Sequence, residues 1–315
     1  MEGPAVLTDG LRKRYRDTVA LDGLDLAVPA GTVFGLLGPN GAGKTTAVRI
    51  MCTLLRPDGG RAEVAGHDVR TEARRVRRRI GLTGQHTAVD DTLTARQNLV
   101  MFGRLFHIGK AAARQRAGEL LDQFGLADAA DKAPKVFSGG MRRRLDLATS
   151  MILAPAVLFL DEPTTGLDPA GRQEVWHAVG DLAARGTTVL LTTHYLDEAD
   201  KLCDRIGVID KGRNVVEDTP GGLKRRIGTE RLEVVAAGPD DLPEIVEVLE
   251  KAAEGRKPLV DRDALAVGVS VPDGVPVLVQ VAAELRGRGL AVADLGLRRP
   301  TLDEAFLHLT GGSRG

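Results

Sequence analysis

The sequence predicts an α/β fold with a mainly parallel core sheet, followed by a small α+β unit. Over the first two thirds of the 315-residue chain, short apolar runs alternate with amphipathic stretches, as in layered βα folds. Three of these runs are continuously apolar, which is typical of central strands that are covered on both faces. Near residue 220, a cluster of polar, proline and glycine residues precedes a segment with a different order of elements.

The three continuous runs are the predicted central strands. They cover residues 33–37, 156–160 and 188–191. Each ends at a polar or glycine-rich turn. Ligands bind at the carboxyl ends of parallel strands, so these turns are the candidate site.

A helical insertion is predicted between the first two of these strands, from about residue 91 to residue 153. This region has no strong strand pattern. Its helical patterns cover residues 94–106, 111–124 and 141–153.

The C-terminal segment is predicted to be a separate domain of residues 229–315, after a first domain of residues 1–228. Its elements follow the order βαββαβ, which predicts a ferredoxin-like α+β arrangement. Thr301 is the expected N-cap of a final helix over residues 302–309. The preceding strands and helices are predicted at residues 232–236, 242–253, 258–260, 264–271, 275–286 and 290–295.

Composition excludes several classes of protein. The 43 basic and 43 acidic residues give zero net charge, so binding of nucleic acid through bulk charge is not expected. The apolar stretch at residues 151–160 is about half of the ~18 residues that a spanning helix needs. The N-terminal residues lack the apolar region of a secretory signal, and two cysteines cannot form a disulfide framework. We therefore expect a cytoplasmic chain that does not cross a membrane.

A phosphate-binding loop lies directly after the first central strand. Its glycines allow successive backbone N–H groups to converge on phosphate oxygens at the start of a helix. Lys44 supplies a point charge to the β- and γ-phosphates, and the Thr45 hydroxyl is a ligand for Mg²⁺. This spacing predicts a P-loop NTPase. The nucleotide-binding residues are Gly38, Pro39, Asn40, Gly41, Ala42, Gly43, Lys44, Thr45 and Thr46.

Further motifs narrow the class. An apolar strand ends in Asp161 and Glu162, which places one carboxylate for a metal shell and a second for an attacking water. A P-loop kinase acting on a metabolite is an alternative, but it does not explain the SGGM segment at residues 138–141. GLDP at residues 166–169 and TTH at residues 192–194 complete an ordered set.

The motifs GPNGAGKTT, Gln85, SGGM, LFLDEP, GLDP and TTH, in this order, resemble the ATP-binding-cassette (ABC) ATPase family over residues 5–228. The resemblance implies ATP hydrolysis with Mg²⁺, an antiparallel β subdomain beside the core sheet, and an ATP-sandwich homodimer. Each ATP would be held by one copy's P-loop and by the signature segment of the second copy, which is Ser138, Gly139 and Gly140 here.

The same resemblance implies the remaining roles. Glu162 would be the general base and Asp161 would hold Mg²⁺ through water. His194 would contact the γ-phosphate, and Asp168 would act across the dimer. Gln85 would reach Mg²⁺ and report to a membrane partner.

Tyr15 matches the aromatic loop that stacks on adenine in this family. Met141 stands where the family usually has glutamine, and a thioether is only a weak hydrogen-bond acceptor. The arginines at 142–144 either add positive potential at the phosphates bound in trans or form a solvated helix face.

The C-terminal segment 298–311, the stretch 80–85 and the extra domain are similar to the daunorubicin-resistance type of ABC exporter ATPase. This similarity implies a subunit on the cytoplasmic face of the membrane that pairs with an integral membrane permease and powers efflux of a drug or antibiotic. The alternative is a soluble ABC-type ATPase acting on ribosomes or DNA. Such proteins usually carry tandem cassettes, long coiled coils or zinc modules, whereas this sequence has one P-loop.

Overall fold

The structure is a computed structural model that describes residues 3–84, 87–227, 230–253, 256–271, 274–298 and 301–311. The chain divides into two compact units, Met1–Pro220 and Gly221–Gly315. The division falls at the start of the helix Pro220–Ile227, whereas the sequence places the domain boundary after it, at residue 228.

The first unit contains ten strands and seven α-helices within its described residues. In chain order they are β1 (Val6–Tyr15), β2 (Thr18–Val28), β3 (Val33–Leu37), α1 (Lys44–Met51), β4 (Gly59–Val64), β5 (His67–Asp68), α2 (Ala73–Arg77), β6 (Ile80–Thr83), α3 (Ala95–Leu105), α4 (Lys110–Gln123), α5 (Gly139–Ser150), β7 (Val157–Asp161), α6 (Pro169–Ala184), β8 (Thr188–Thr192), α7 (Leu196–Leu202), β9 (Arg205–Asp210) and β10 (Arg213–Asp218).

The core sheet has the strand order β10-β9-β3-β8-β7-β6. All its pairs are parallel except β10 with β9. Every residue of β3, β7 and β8 is buried, which explains why these strands are continuously apolar. The prediction of a mainly parallel core sheet is confirmed, and the ends of these strands carry the P-loop, the acidic pair and the TTH segment.

A second sheet, with the order β2-β1-β4-β5, is antiparallel throughout. Its buried side chains share one apolar core with α1 and the core sheet, including Leu11, Leu24, Ile50 and Phe159. The register of β1 and β2 ends at the pair of Tyr15 with Thr18, so this sheet brings Tyr15 to a tight turn.

The helical insertion consists of α3, α4 and α5. Thr94 forms a capping box with Gln97 at the start of α3. Helix α5 begins at Gly139, two residues before the predicted start, because the Ser138 side chain accepts a hydrogen bond from the Met141 N–H and caps the helix. It also ends earlier than predicted, at Ser150, ahead of the left-handed Ala154 (φ 47°).

The second unit begins within α8 (Pro220–Ile227). Its sheet has the order β12-β13-β11-β14 with antiparallel pairs, and helices α9 and α10 share a core with one face of it. The Thr301 Oγ1 accepts a hydrogen bond from the Glu304 N–H and caps the last helix. The elements are β11 (Arg231–Ala236), α9 (Leu242–Ala252), β12 (Leu259–Asp261), β13 (Ala266–Ser270), α10 (Gly274–Gly287), β14 (Val292–Arg298) and α11 (Leu302–Gly311).

Among the described residues, no helix combines the length and the apolar character needed to cross a bilayer.

Candidate active site

The loop between β3 and α1 is shaped by glycines at two close approaches. Gly43 has φ 107°, and a Cβ there would lie 2.4 Å from the carbonyl oxygen of Ala20. At Gly38 a Cβ would lie 2.3 Å from the carbonyl oxygen of Ile209. A side chain fits at neither position, so the P-loop depends on glycine for both its backbone conformation and its packing.

Lys44 lies inside the curve of this loop. Its ammonium donates hydrogen bonds to the carbonyl oxygens of Gly38 (2.6 Å) and Pro39 (3.1 Å). Burial lowers the pKa of Lys44, and the nearby carboxylates of Glu162 and Asp161 act against that shift. The loop therefore places one buried cation next to two acidic side chains.

A cleft of about 360 Å³ opens beside the P-loop. Helix α1 has no side-chain cap at its N-terminus, so its first N–H groups are available to an anion. These groups and the Lys44 ammonium fit a polyphosphate. The lining residues are Tyr15, Thr18, Ala20, Asn40, Gly41, Ala42, Gly43, Lys44, Thr45, Thr46 and Glu162.

Tyr15 forms one wall of this cleft and is 43% exposed. The Lys13 ammonium lies 5.8 Å from the centre of its ring. The ring is thus held near the P-loop with much of its surface open to a flat ligand.

Asp161 is the last residue of β7 and is buried. Its Oδ1 accepts a hydrogen bond of 2.5 Å from the Thr192 hydroxyl on the neighbouring strand β8. This bond orients the carboxylate and leaves its other oxygen for a ligand. Together with the Thr45 hydroxyl, Asp161 offers the oxygen donors that Mg²⁺ prefers.

Glu162 lines the cleft with a backbone φ of 51°, in the left-handed region that non-glycine residues seldom adopt. Its N–H donates to the Thr192 carbonyl oxygen (3.0 Å), and its Oε2 accepts from the Thr165 hydroxyl (3.3 Å). Its Oε1 lies 3.4 Å from the His194 Nδ1. Strained backbone of this kind is found at functional sites when surrounding contacts hold it.

His194 has a further neighbour that the sequence does not indicate. Its ring lies 4.2 Å from the ring of Tyr195, and the Arg172 guanidinium lies 4.4 Å from the centre of that second ring. The Arg172 Nε in turn donates to the Leu167 carbonyl oxygen (3.3 Å). A chain of contacts therefore runs from the GLDP segment to His194. The only signal in the sequence is that Tyr195 directly follows the TTH motif.

The signature segment packs against the start of α6. At Gly140 a Cβ would lie 2.7 Å from the Glu174 Oε2 and 3.1 Å from the Gly171 Cα. The Asp168 Oδ1 accepts a hydrogen bond from the Gly171 N–H (2.9 Å), so Asp168 is the N-cap of α6.

The signature segment and the P-loop form two separate groups. The residues that line the P-loop cleft include neither Asp168 nor any of Ser138, Gly139 and Gly140, all of which the structure describes. Gln85 lies outside the described residues.

The arginines behind the signature do not form a solvated face. Arg143 is buried, and Arg142 and Arg144 are partly buried. Arg142 donates to the Pro134 carbonyl oxygen (2.9 Å), and Arg144 to the Phe124 carbonyl oxygen (2.8 Å). Their guanidinium groups are therefore committed to contacts within the chain.

Comparison with known proteins gives concordant similarities. The ABC transporter family model matches residues 21–165. The chain is 61% identical over 311 residues to a daunorubicin resistance ATP-binding protein of Streptomyces coeruleorubidus. The match covers 99% of this chain and 96% of that protein. It is 41% identical over 313 residues to the Nod factor export ATP-binding protein I of Ralstonia nicotianae, with 98% and 94% covered.

Among solved structures, the chain is similar to an ATP-binding cassette in a dimeric, post-hydrolysis state bound to ADP and Pi. The TM-score is 0.60 at 25% identity, and the match covers 68% of this chain and 98% of that one.

Proposed function

The chain belongs to the family of ABC transporter ATP-binding proteins, and from this premise we propose that it powers the efflux of a small molecule, a drug or antibiotic, through a separate membrane permease. It is the ATP-hydrolysing subunit of an ABC exporter. The relatives described above are named for drug resistance and for export, and this favours the exporter over a soluble ATPase that acts on ribosomes or DNA. The permease would hold the subunit at the cytoplasmic face of the membrane.

The observation that carries the proposed mechanism is the separation of the two halves of the site. The cleft beside Lys44 contains the proposed general base, Glu162, and the phosphate-binding loop. The signature residues Ser138, Gly139 and Gly140 do not line this cleft. A second copy would bring its signature segment to the γ-phosphate, and the similarity to a dimeric cassette bound to ADP and Pi supports the pairing of two copies. Each dimer would then enclose two ATP molecules.

Within the cleft, each side chain has a proposed task. Lys44 and the P-loop N–H groups bind the β- and γ-phosphates, and Tyr15 stacks on the base. Glu162 accepts the proton of the attacking water, while His194 contacts the γ-phosphate.

Mg²⁺ would be held by Thr45 and Asp161, with Gln85 as a further ligand, and it would neutralise charge on the phosphate oxygens. Thr192 keeps the Asp161 carboxylate oriented for this role.

Removing the aromatic ring of Tyr15 tests whether this side chain stacks on the nucleotide base. The Tyr15→Ala variant should bind nucleotide about 1 to 3 kcal/mol more weakly, the range for loss of stacking on one base. ATP and GTP should be affected alike because stacking tolerates any base. Calorimetry with both nucleotides measures the effect, and Tyr15→Phe, which keeps the ring, is the control. A loss confined to ATP contradicts stacking.

The exporter function is tested by reconstitution. The tagged chain is isolated from membranes of its host, the co-purifying permease is identified, and the pair is placed in lipid vesicles, with daunorubicin as a fluorescent probe and MgATP added outside. We expect MgATP-dependent movement of the drug with the wild-type chain and none with Glu162→Gln. Recovery only in the supernatant, together with an ATPase rate that does not respond to any permease, would contradict a transport role.

A further inference from the structure

We propose that Arg143, with Asp146 as its counter-ion, is a positioning residue for ATP hydrolysis that ties helix α5 to the segment carrying Glu162 after β7 and to the end of β6. This inference rests on the proposed function and names a residue that acts through Glu162 without touching the nucleotide. This role explains why the Arg143 guanidinium is buried about one helical turn after the signature segment.

Arg143 contacts three separate parts of the chain. Its Nε donates to the Pro163 carbonyl oxygen at 2.8 Å, directly after Glu162 in the chain. Its Nη1 donates to the Gly84 carbonyl oxygen at 2.8 Å and to the Asp146 Oδ2 at 3.1 Å. One planar guanidinium therefore joins α5 to the ends of two neighbouring strands, β6 and β7.

Asp146 adds a second contact to the segment that follows β6. Its Oδ1 accepts a hydrogen bond from the Ala88 N–H at 2.9 Å. The pair thus contacts the chain at Gly84 and again at Ala88. Burial raises the pKa of the Asp146 carboxyl, and the adjacent Arg143 guanidinium opposes that shift.

The segment after Glu162 is also held from its other side. The buried Glu198 Oε1 accepts hydrogen bonds from the Thr164 hydroxyl (2.8 Å) and from the Trp176 Nε1 (3.0 Å). Burial lowers the pKa of Arg143, and the charges of Asp146, Glu198 and Asp161 oppose that shift. Pro163 is thereby fixed by α5, and Thr164 is fixed by α7.

The hydrogen bond from Arg143 helps to explain the strained backbone at Glu162. A left-handed φ of 51° at a glutamate persists only when the surroundings over-determine it. The bond from Arg143 to the next residue's carbonyl oxygen is one such restraint, and it comes from the helix that begins at the signature segment. Loss of the bond should let Glu162 shift, whereas the P-loop contacts of Lys44 should remain.

The test must separate positioning from simple stability. Removing one member of a buried ion pair leaves the other charge unpaired and costs several kcal/mol, so single variants can fail to fold. The double variant Arg143→Met/Asp146→Leu removes both charges and is expected to fold. A second variant, Arg143→Lys, keeps the charge but loses the planar guanidinium group that donates to both Pro163 and Gly84.

The measurements are thermal unfolding, MgATP affinity by calorimetry, and the steady-state kcat and KM for ATP. Both variants should keep the wild-type MgATP affinity, while kcat falls by about 100-fold, as for a reacting group displaced by about 1 Å. Arg116→Met is the matched control. It removes an arginine bond to the Met151 carbonyl oxygen at the opposite end of α5 (3.0 Å) and should leave kcat unchanged.

The outcomes are distinguishable. A wild-type chain that hydrolyses no ATP contradicts the proposed function itself. An active wild-type chain with a folded double variant, or a folded Arg143→Lys variant, that turns over at the wild-type kcat overturns the role of Arg143. A rise in KM at unchanged kcat also overturns it, because the affected step would then be binding.

Discussion

Replacing Lys44 with alanine is expected to abolish tight ATP binding. Its ammonium is the one cation among the described residues that line the cleft beside the P-loop, and after its loss the P-loop offers the phosphates only backbone N–H groups and hydroxyls. Loss of a hydrogen bond between charged groups costs about 1.5 to 3 kcal/mol, so the affinity should fall by at least about 10- to 100-fold. Calorimetry with MgATP measures this fall.

A matched control separates the local effect from general loss of charge. Lys110 is exposed at the start of α4, away from the residues that line the cleft, so Lys110→Ala should bind ATP as the wild-type chain does. The Lys44→Ala variant also loses the bonds to Gly38 and Pro39, and its unfolding temperature must be compared at the same time. Unchanged ATP affinity in a folded Lys44→Ala variant would rule out the P-loop assignment.

The elements that the sequence predicts best are those whose hydrophobic pattern depends on burial alone. The central strands β3, β7 and β8 are buried on both faces, so their residues are uniformly apolar and their positions are visible without knowledge of their neighbours. The antiparallel sheet is different. Register shifts in β1 at Thr8, Leu11 and Lys13 interrupt its alternation, and only the family resemblance indicated that sheet.

The site shows the same contrast. The P-loop follows from local spacing, because its glycines, lysine and threonine all lie in one short segment from Gly38 to Thr45. Arg143 does not, because its burial depends on Gly84 and Pro163, which are distant in sequence. Three consecutive arginines look like a solvated face until the fold brings these carbonyl groups around the middle one. Arg172 of α6 and Tyr195, which directly precedes α7, meet for the same reason, because they are distant in sequence.

The Glu162→Gln variant should bind MgATP and fail to hydrolyse it. The amide keeps the shape of the side chain but cannot accept the proton of the attacking water, while Lys44, Thr45 and Tyr15 still bind the nucleotide. If each ATP is clamped between one copy's P-loop and the Ser138 segment of the other, the unhydrolysed nucleotide should hold two copies together. Sedimentation of this variant with MgATP is therefore expected to show a dimer, and with MgADP a monomer.

A second substitution locates the contact between the copies. Adding Ser138→Arg to the Glu162→Gln chain places a bulky cation at the start of α5, removes the cap of that helix, and should undo the dimer. Ser270→Arg adds the same side chain at an exposed position of β13 and should leave the dimer intact. If the Glu162→Gln chain stays monomeric with MgATP at high concentration and the permease does not restore pairing, the shared site is wrong for this protein. If it hydrolyses ATP at the wild-type rate, Glu162 is not the base, and the strained backbone at that residue requires another explanation.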